Sequence, residues 1–96
     1  MLIRREQLPL PVPYAAPRTP AERKLAEIWR KALNMDRVGI NDDYNDLGGD
    51  SFLAAVIFAE ITEAFSILMP MASLIHAPTI ALLAPKVDKL TQVRRA

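Results

Sequence analysis

The sequence predicts an all-α fold built from three main helices, one short helix before the last, and a long first loop. Three observations predict it. Apolar residues recur at helical spacing in three separate windows. No window alternates with the period of two that a half-buried strand needs. Side chains able to cap a helix, at Thr19, at Asp50 or Ser51, and at Thr79, stand where those windows open. The chain has 96 residues, enough for one small domain with a modest core.

Residues 1–18 read as a semi-rigid linker. Pro9, Pro11, Pro13 and Pro17 favour an extended, polyproline-like strap and exclude regular helix. Leu2, Ile3, Leu8, Leu10, Val12 and Tyr14 make it apolar enough to lie in a groove, either of its own domain or of a neighbour. The folded domain is expected from Thr19 to about residue 92, with 93–96 as a charged tail containing Arg94 and Arg95. In Thr19-Pro20-Ala21-Glu22 a Thr N-cap, a Pro at the first helical position and a Glu at the third compose a capping box. Leu25, Ile28, Trp29, Ala32 and Leu33 then share one face, opposite Arg23, Glu27 and Lys31, so the first helix runs to about Asn34. Trp29 belongs to the core on this spacing.

Residues 35–50 form the long connection, with Val38 and Ile40 as apolar pegs around Gly39 and with Asp42, Asp43, Asp46 and Asp50 making it acidic. Solvation and partner steering explain those charges equally well. The second helix spans about Ser51 to Phe65. Leu53, Ala54, Ile57, Phe58, Ile61 and Phe65 line its core face. Its other side carries Phe52, Ala55, Val56, Ala59, Thr62 and Glu63, mostly apolar or small, which suggests a docking surface. After Pro70, Met71 to His76 has room for a short helix only, and Ala77-Pro78 ends it. Thr79 can cap a last helix with Ile80, Leu83, Val87 and Leu90 on one face. Pro85 inside it is expected to kink the chain or delay regular helix. Met69 and Met71 are read as adaptable packing, and His76 as a solvated helix end.

Composition removes several function classes. A net charge of +1 argues against a nucleic-acid partner. Without cysteine there is neither disulfide nor thiolate metal site, which suits a reducing cytoplasm, the expected location. The N-terminus lacks an apolar signal region, and the longest apolar stretch, Phe52 to Ala59, is too short to span a membrane. A monomer is expected.

Chemistry concentrates at Asp46-Leu47-Gly48-Gly49-Asp50-Ser51, where a hydroxyl stands at the mouth of an apolar helix. A hydrolytic serine needs a base and a group to orient it. His76 is the sole histidine, and neither a G-x-S-x-G elbow nor a preceding strand is present. Gly48-Gly49 lacks the rest of a phosphate-binding loop. The four aspartates do not follow the calcium-loop spacing, so no intrinsic metal site is expected. What remains is covalent attachment. A helix N-terminus offers free N–H groups and partial positive charge, so a phosphodiester on Ser51 would be well placed. The paired glycines would remove bulk in front of a modifying enzyme, and Asp50 could hold a metal ion beside the incoming phosphate.

Val38-Gly39-Ile40, the acidic loop, Asp46-Leu47-Gly48-Gly49-Asp50-Ser51 and Ala77-Pro78-Thr79-Ile80, in that order, resemble the phosphopantetheine carrier domains, above all the peptidyl (thiolation) carriers of nonribosomal peptide synthetases. The likeness covers about residues 19–92. It implies a four-helix carrier-protein bundle with a short third helix. It implies that Ser51, supported by Leu47, Gly48, Gly49 and Asp50, receives 4′-phosphopantetheine from coenzyme A through a magnesium-dependent phosphopantetheinyl transferase. The arm then carries aminoacyl, peptidyl or acyl groups as thioesters, and the carrier itself catalyses nothing.

The same resemblance puts Phe52, Ala55, Val56, Ala59, Glu63 and Ile75 where relatives meet partners: adenylation domains or ligases, and condensation, ketosynthase or thioesterase-type domains. Val56 and the near-neutral charge favour the peptide-synthetase branch over fatty-acid carriers. Leu8-Pro9-Leu10-Pro11 resembles the LPxP element that ties an adenylation domain to its carrier, and implies linker docking there. Asn45, Ser66-Ile67 and Pro85 depart from the family's habit of an aromatic, a glycine and an uninterrupted helix. The alternatives are a free-standing acyl carrier of another pathway and an unmodified helical interaction module.

Overall fold

In the computed structural model the backbone is described for residues 1–95 and the side chains for residues 1–92. Four helices follow one another: α1 (Pro20–Leu33), α2 (Ser51–Phe65), α3 (Ser73–His76) and α4 (Ile80–Arg95). Among the described residues the one extended pairing is an isolated parallel bridge between Ile3 and Met35. α1 packs on both α2 and α4, and Leu25, Trp29, Ile57, Ile61, Ile80, Leu83 and Val87 are sealed between them. The all-α expectation holds, with the third helix reduced to four residues. α4 runs on through most of 93–96; the side chains of Arg94 and Arg95 lie outside the described residues.

The start of α1 differs in one detail from a capping box. Thr19 Oγ1 accepts from the Glu22 N–H at 3.1 Å, as expected of an N-cap. The Glu22 carboxylate, however, accepts from the backbone N–H of Arg18 at 2.8 Å and from its guanidinium at 2.7 and 3.1 Å. A cation one residue upstream draws the carboxylate past the Thr19 N–H, because a charge-assisted pair outcompetes a neutral donor. That pairing holds the Glu22 carboxyl below the usual carboxylate range. At the other end Asn34 adopts the left-handed conformation (φ 56°), which asparagine tolerates, and its N–H closes on the carbonyls of Arg30 and Lys31.

The strap lies against its own domain, and it is not wholly extended. Arg5–Gln7 forms a single 3-10 turn ahead of Pro9. The Ile3 N–H donates to the Asn34 carbonyl at 2.8 Å, and the Asp36 N–H returns to the Ile3 carbonyl at 2.9 Å. Arg5 is buried: its Nε and Nη2 donate to the two carboxylate oxygens of Asp42 at 2.7 and 2.6 Å. Asp42, fully buried, also accepts from the Gly39 N–H at 2.8 Å. The Arg5 Nη2 reaches the Val12 carbonyl at 2.9 Å, and Tyr14 lies under the guanidinium of Arg37, 4.0 Å from its ring centre. Each buried polar atom of this seam thus has a partner, as burial requires.

α4 opens as expected: Thr79 Oγ1 accepts from the Leu82 N–H at 3.2 Å. Regular helix begins at Ile80 and continues through Pro85, so no delay occurs. Pro85 stands exposed and removes the hydrogen bond that would reach back to Ala81. Ser66, where a glycine is frequent, closes α2 in the left-handed conformation (φ 54°) and leaves Ile67 buried beneath. No helix among the described residues is long and apolar enough to cross a membrane.

Candidate functional site

Whether Asp50 or Ser51 caps α2 decides what the serine is free to do. Asp50 caps it: its backbone is extended and its Oδ1 accepts from the Leu53 N–H at 2.8 Å. Ser51 is therefore the first helical residue, exposed, and among the described residues its hydroxyl has no hydrogen-bond partner. A free hydroxyl sits at the positive end of a 15-residue helix.

The turn behind the serine is built on Tyr44, which the sequence reading passed over. Tyr44 is 3% exposed; its ring meets Trp29 edge to face, with centroids 5.5 Å apart. Its N–H donates to the Pro78 carbonyl at 2.8 Å, joining the loop to the segment that starts α4. Its hydroxyl donates to the Asp50 carbonyl at 2.7 Å. Burial pushes the phenol pKa up, so the group stays a protonated donor.

The glycines also have reasons internal to the turn, beside the clearance for an enzyme expected of them. Gly48 takes φ +85°, a conformation that side chains resist. A Cβ on Gly49 would sit 2.2 Å from Tyr44 Cζ, so only glycine lets the ring slide beneath the turn. Leu47, 5% exposed, pins the turn to the core.

The other predicted residues fall in distinct places. Phe52, Ala55, Val56, Ala59 and Glu63 are exposed along α2, and Ile75 is exposed on α3. An open groove of about 380 Å³ runs between these helices and brings Ser51, Asp50, Tyr44, Asn45, Met71 and Ile75 together. His76 is exposed and does not line that groove, so the hydrolase arrangement is not assembled there. Leu8 and Leu10 pack part-buried against the core while Pro9 and Pro11 are exposed, and none of the four lines the groove. The acidic residues are dispersed: Asp42 is buried on Arg5, Asp43 accepts from the Asn45 N–H at 2.8 Å, and Asp50 caps α2. Among the described residues no three metal-ligating side chains converge.

This architecture is a known one. The family described as "Phosphopantetheine attachment site" matches residues 23–85. The chain is 39% identical over 89 residues to tyrocidine synthase 3 of Brevibacillus parabrevis, which covers 85% of the chain. It spans 1% of that relative's length. Its fold is similar, with TM-score 0.82 and 30% identity, to PaxA T1-CDD in the docking-domain complex of the Pax nonribosomal peptide synthetase, over 91% of this chain and 84% of that one. It is similar, with TM-score 0.76 and 34% identity, to the peptidyl carrier protein solved with the transferase Sfp and coenzyme A, over 79% of this chain and 99% of that one. The chain belongs to the phosphopantetheine carrier domains, a family whose members hold cargo on a covalent 4′-phosphopantetheine arm and are in general not catalysts. Within them it is a carrier of the peptidyl type found in nonribosomal peptide synthetases.

Proposed function

We propose that Ser51 is the attachment residue and that the chain acts purely as a carrier, passing aminoacyl, peptidyl or acyl groups between enzymes of a nonribosomal peptide assembly line. One observation carries this reading. Asp50 does the capping, and the Ser51 hydroxyl is left exposed and unpartnered at a helix N-terminus. The site fits a phosphodiester, since first-turn N–H groups and the helix dipole favour an anion there. When bound, the arm supplies a terminal thiol for thioester chemistry.

Attachment proceeds by attack of Ser51 Oγ on the pyrophosphate of coenzyme A. A new P–O bond forms to the serine, and the pyrophosphate P–O bond breaks. Adenosine 3′,5′-bisphosphate leaves with the electron pair, and the serine proton passes to a base of the phosphopantetheinyl transferase. Asp50 Oδ2, outside the capping hydrogen bond, is open to that enzyme's magnesium ion.

The exposed residues Phe52, Ala55, Val56, Ala59, Glu63 and Ile75 serve as the partner face for adenylation domains or ligases and for condensation, ketosynthase or thioesterase-type domains. In this reading residues 19–92 are the carrier, and 1–18 join it to an adenylation domain through Leu8-Pro9-Leu10-Pro11. The working compartment is the cytoplasm. Incubation with coenzyme A and a broad-specificity transferase will add one phosphopantetheine mass by intact mass spectrometry, and Ser51→Ala will abolish it. No mass gain with an active transferase, or a gain that survives Ser51→Ala, overturns the proposal.

A further inference from the structure

A serine that must meet a phosphorus atom in another protein has to be held in place, yet its own side chain makes no hydrogen bond among the described residues. Its position is fixed through the peptide that precedes it. The Asp50 carbonyl belongs to the same peptide unit as the Ser51 nitrogen, and it accepts twice. The Ala54 N–H donates to it at 2.9 Å as the first bond of the helix, and the Tyr44 hydroxyl donates at 2.7 Å from across the loop. Tyr44 is itself clamped on three sides. Its N–H is held by the Pro78 carbonyl at 2.8 Å, its carbonyl accepts from the Gly49 N–H at 3.1 Å, and its ring abuts Trp29 and fills the space a Gly49 side chain would occupy. A rigid loop residue therefore grips the exposed peptide that carries the nucleophile.

We propose that Tyr44 is a positioning residue for the attachment reaction: its hydroxyl, through the Asp50 carbonyl, fixes the direction from which Ser51 Oγ is presented. This rests on Ser51 being the attachment residue. The role separates from packing, because Tyr44→Phe keeps the ring against Trp29 and Gly49 and removes only the donor. It also separates from docking, because Tyr44 is buried and offers little to a partner's surface.

The test is steady-state kinetics of phosphopantetheine transfer from coenzyme A, followed by intact mass, on the full chain. Tyr44→Phe is expected to lower kcat roughly tenfold, as loss of one orienting hydrogen bond would. The KM values for carrier and coenzyme A should stay within about twofold, because docking is untouched. Gly49→Ala, which drives the ring out from under the turn, is expected to give the same kcat loss in whatever fraction circular dichroism shows folded. The double variant should lose little more than either alone. A Tyr44→Phe kcat within about twofold of the parent overturns the inference, as does a loss confined to KM or one that tracks the unfolded fraction. In each of these cases the parent still accepts the arm, whereas failure of the parent to load would strike the assignment of Ser51 instead.

Discussion

The seam between the strap and the first loop and the outward face of α2 are both surface regions of one small bundle, and they are built by opposite rules. The seam is polar and closed. Arg5 and Asp42 meet through two hydrogen bonds, and the backbone of Gly39 and Val12 takes up what is left of their capacity. The α2 face is apolar and open: Phe52 is 74% exposed, and nothing among the described residues covers it. The contrast shows where this fold spends its specific interactions. They lie in the loop that presents the serine, so the helix beside it can keep bare side chains without endangering the bundle.

The comparison breaks most sharply at the buried pair. Asp42→Ala should cost about 3 kcal/mol in urea unfolding, because it leaves the buried Arg5 charge without its carboxylate and the Gly39 N–H without its acceptor. Replacing both charges, as Arg5→Met with Asp42→Leu, should recover much of that loss, since a buried pair is worth little more than well-packed apolar groups. If Asp42→Ala unfolds like the parent, the strap is not part of the folded unit.

A smaller effect follows from the Arg18–Glu22 pair. The guanidinium holds the Glu22 carboxyl below its ordinary value, and Glu27 and Asp36 are lowered in the same way by Arg30 and by the Arg5 N–H. A carboxyl depressed in the folded state binds its proton more readily when unfolded. Stability from these groups is therefore complete above the ordinary carboxylate pKa, about 4.3 for Glu, and drains away as pH falls through the lower folded values. Glu22→Gln should cost about 1 kcal/mol at neutral pH and flatten part of the acid limb of a stability–pH curve. An acid limb unchanged by Glu22→Gln would show that the pair forms no more strongly in the folded chain than in the unfolded one.

The smallest expected change in stability is on the open face. Phe52→Ala and Val56→Ser should change the unfolding free energy by no more than about 0.5 kcal/mol, yet slow cargo transfer to a cognate condensation or adenylation partner. Destabilisation well beyond that would mean the face packs inward and is not free for docking.

The helices were legible because their signals are local. Leu25, Ile28, Trp29 and Leu33 announce their face by spacing alone, and α2 begins and ends where its pattern does. The attachment motif was legible as a string but not as a mechanism. From sequence, Asp50 and Ser51 are equally good caps, and only the geometry assigns the cap to Asp50. The strap's destination was not legible, because Arg5 finds Asp42 across 37 residues and no periodicity links them. For the same reason Asp42 stood among four acids divided between solvation and partner steering, although it is wholly buried. Tyr44 was missed because its partner is an absence: the missing side chain of Gly49 is what admits its ring.

The chain holds a single tryptophan, sealed from water, and its indole Nε1 is the one buried side-chain polar atom without a partner among the described residues. Tyr44 stands edge-on to it and hydrogen-bonds the peptide unit of Ser51, so one side chain separates that indole from the proposed attachment serine. Indole emission is sensitive to its surroundings, so Trp29 is a native optical probe. Arrival of the arm, or loss of the tyrosine's grip, should be readable as a change in fluorescence with no label added.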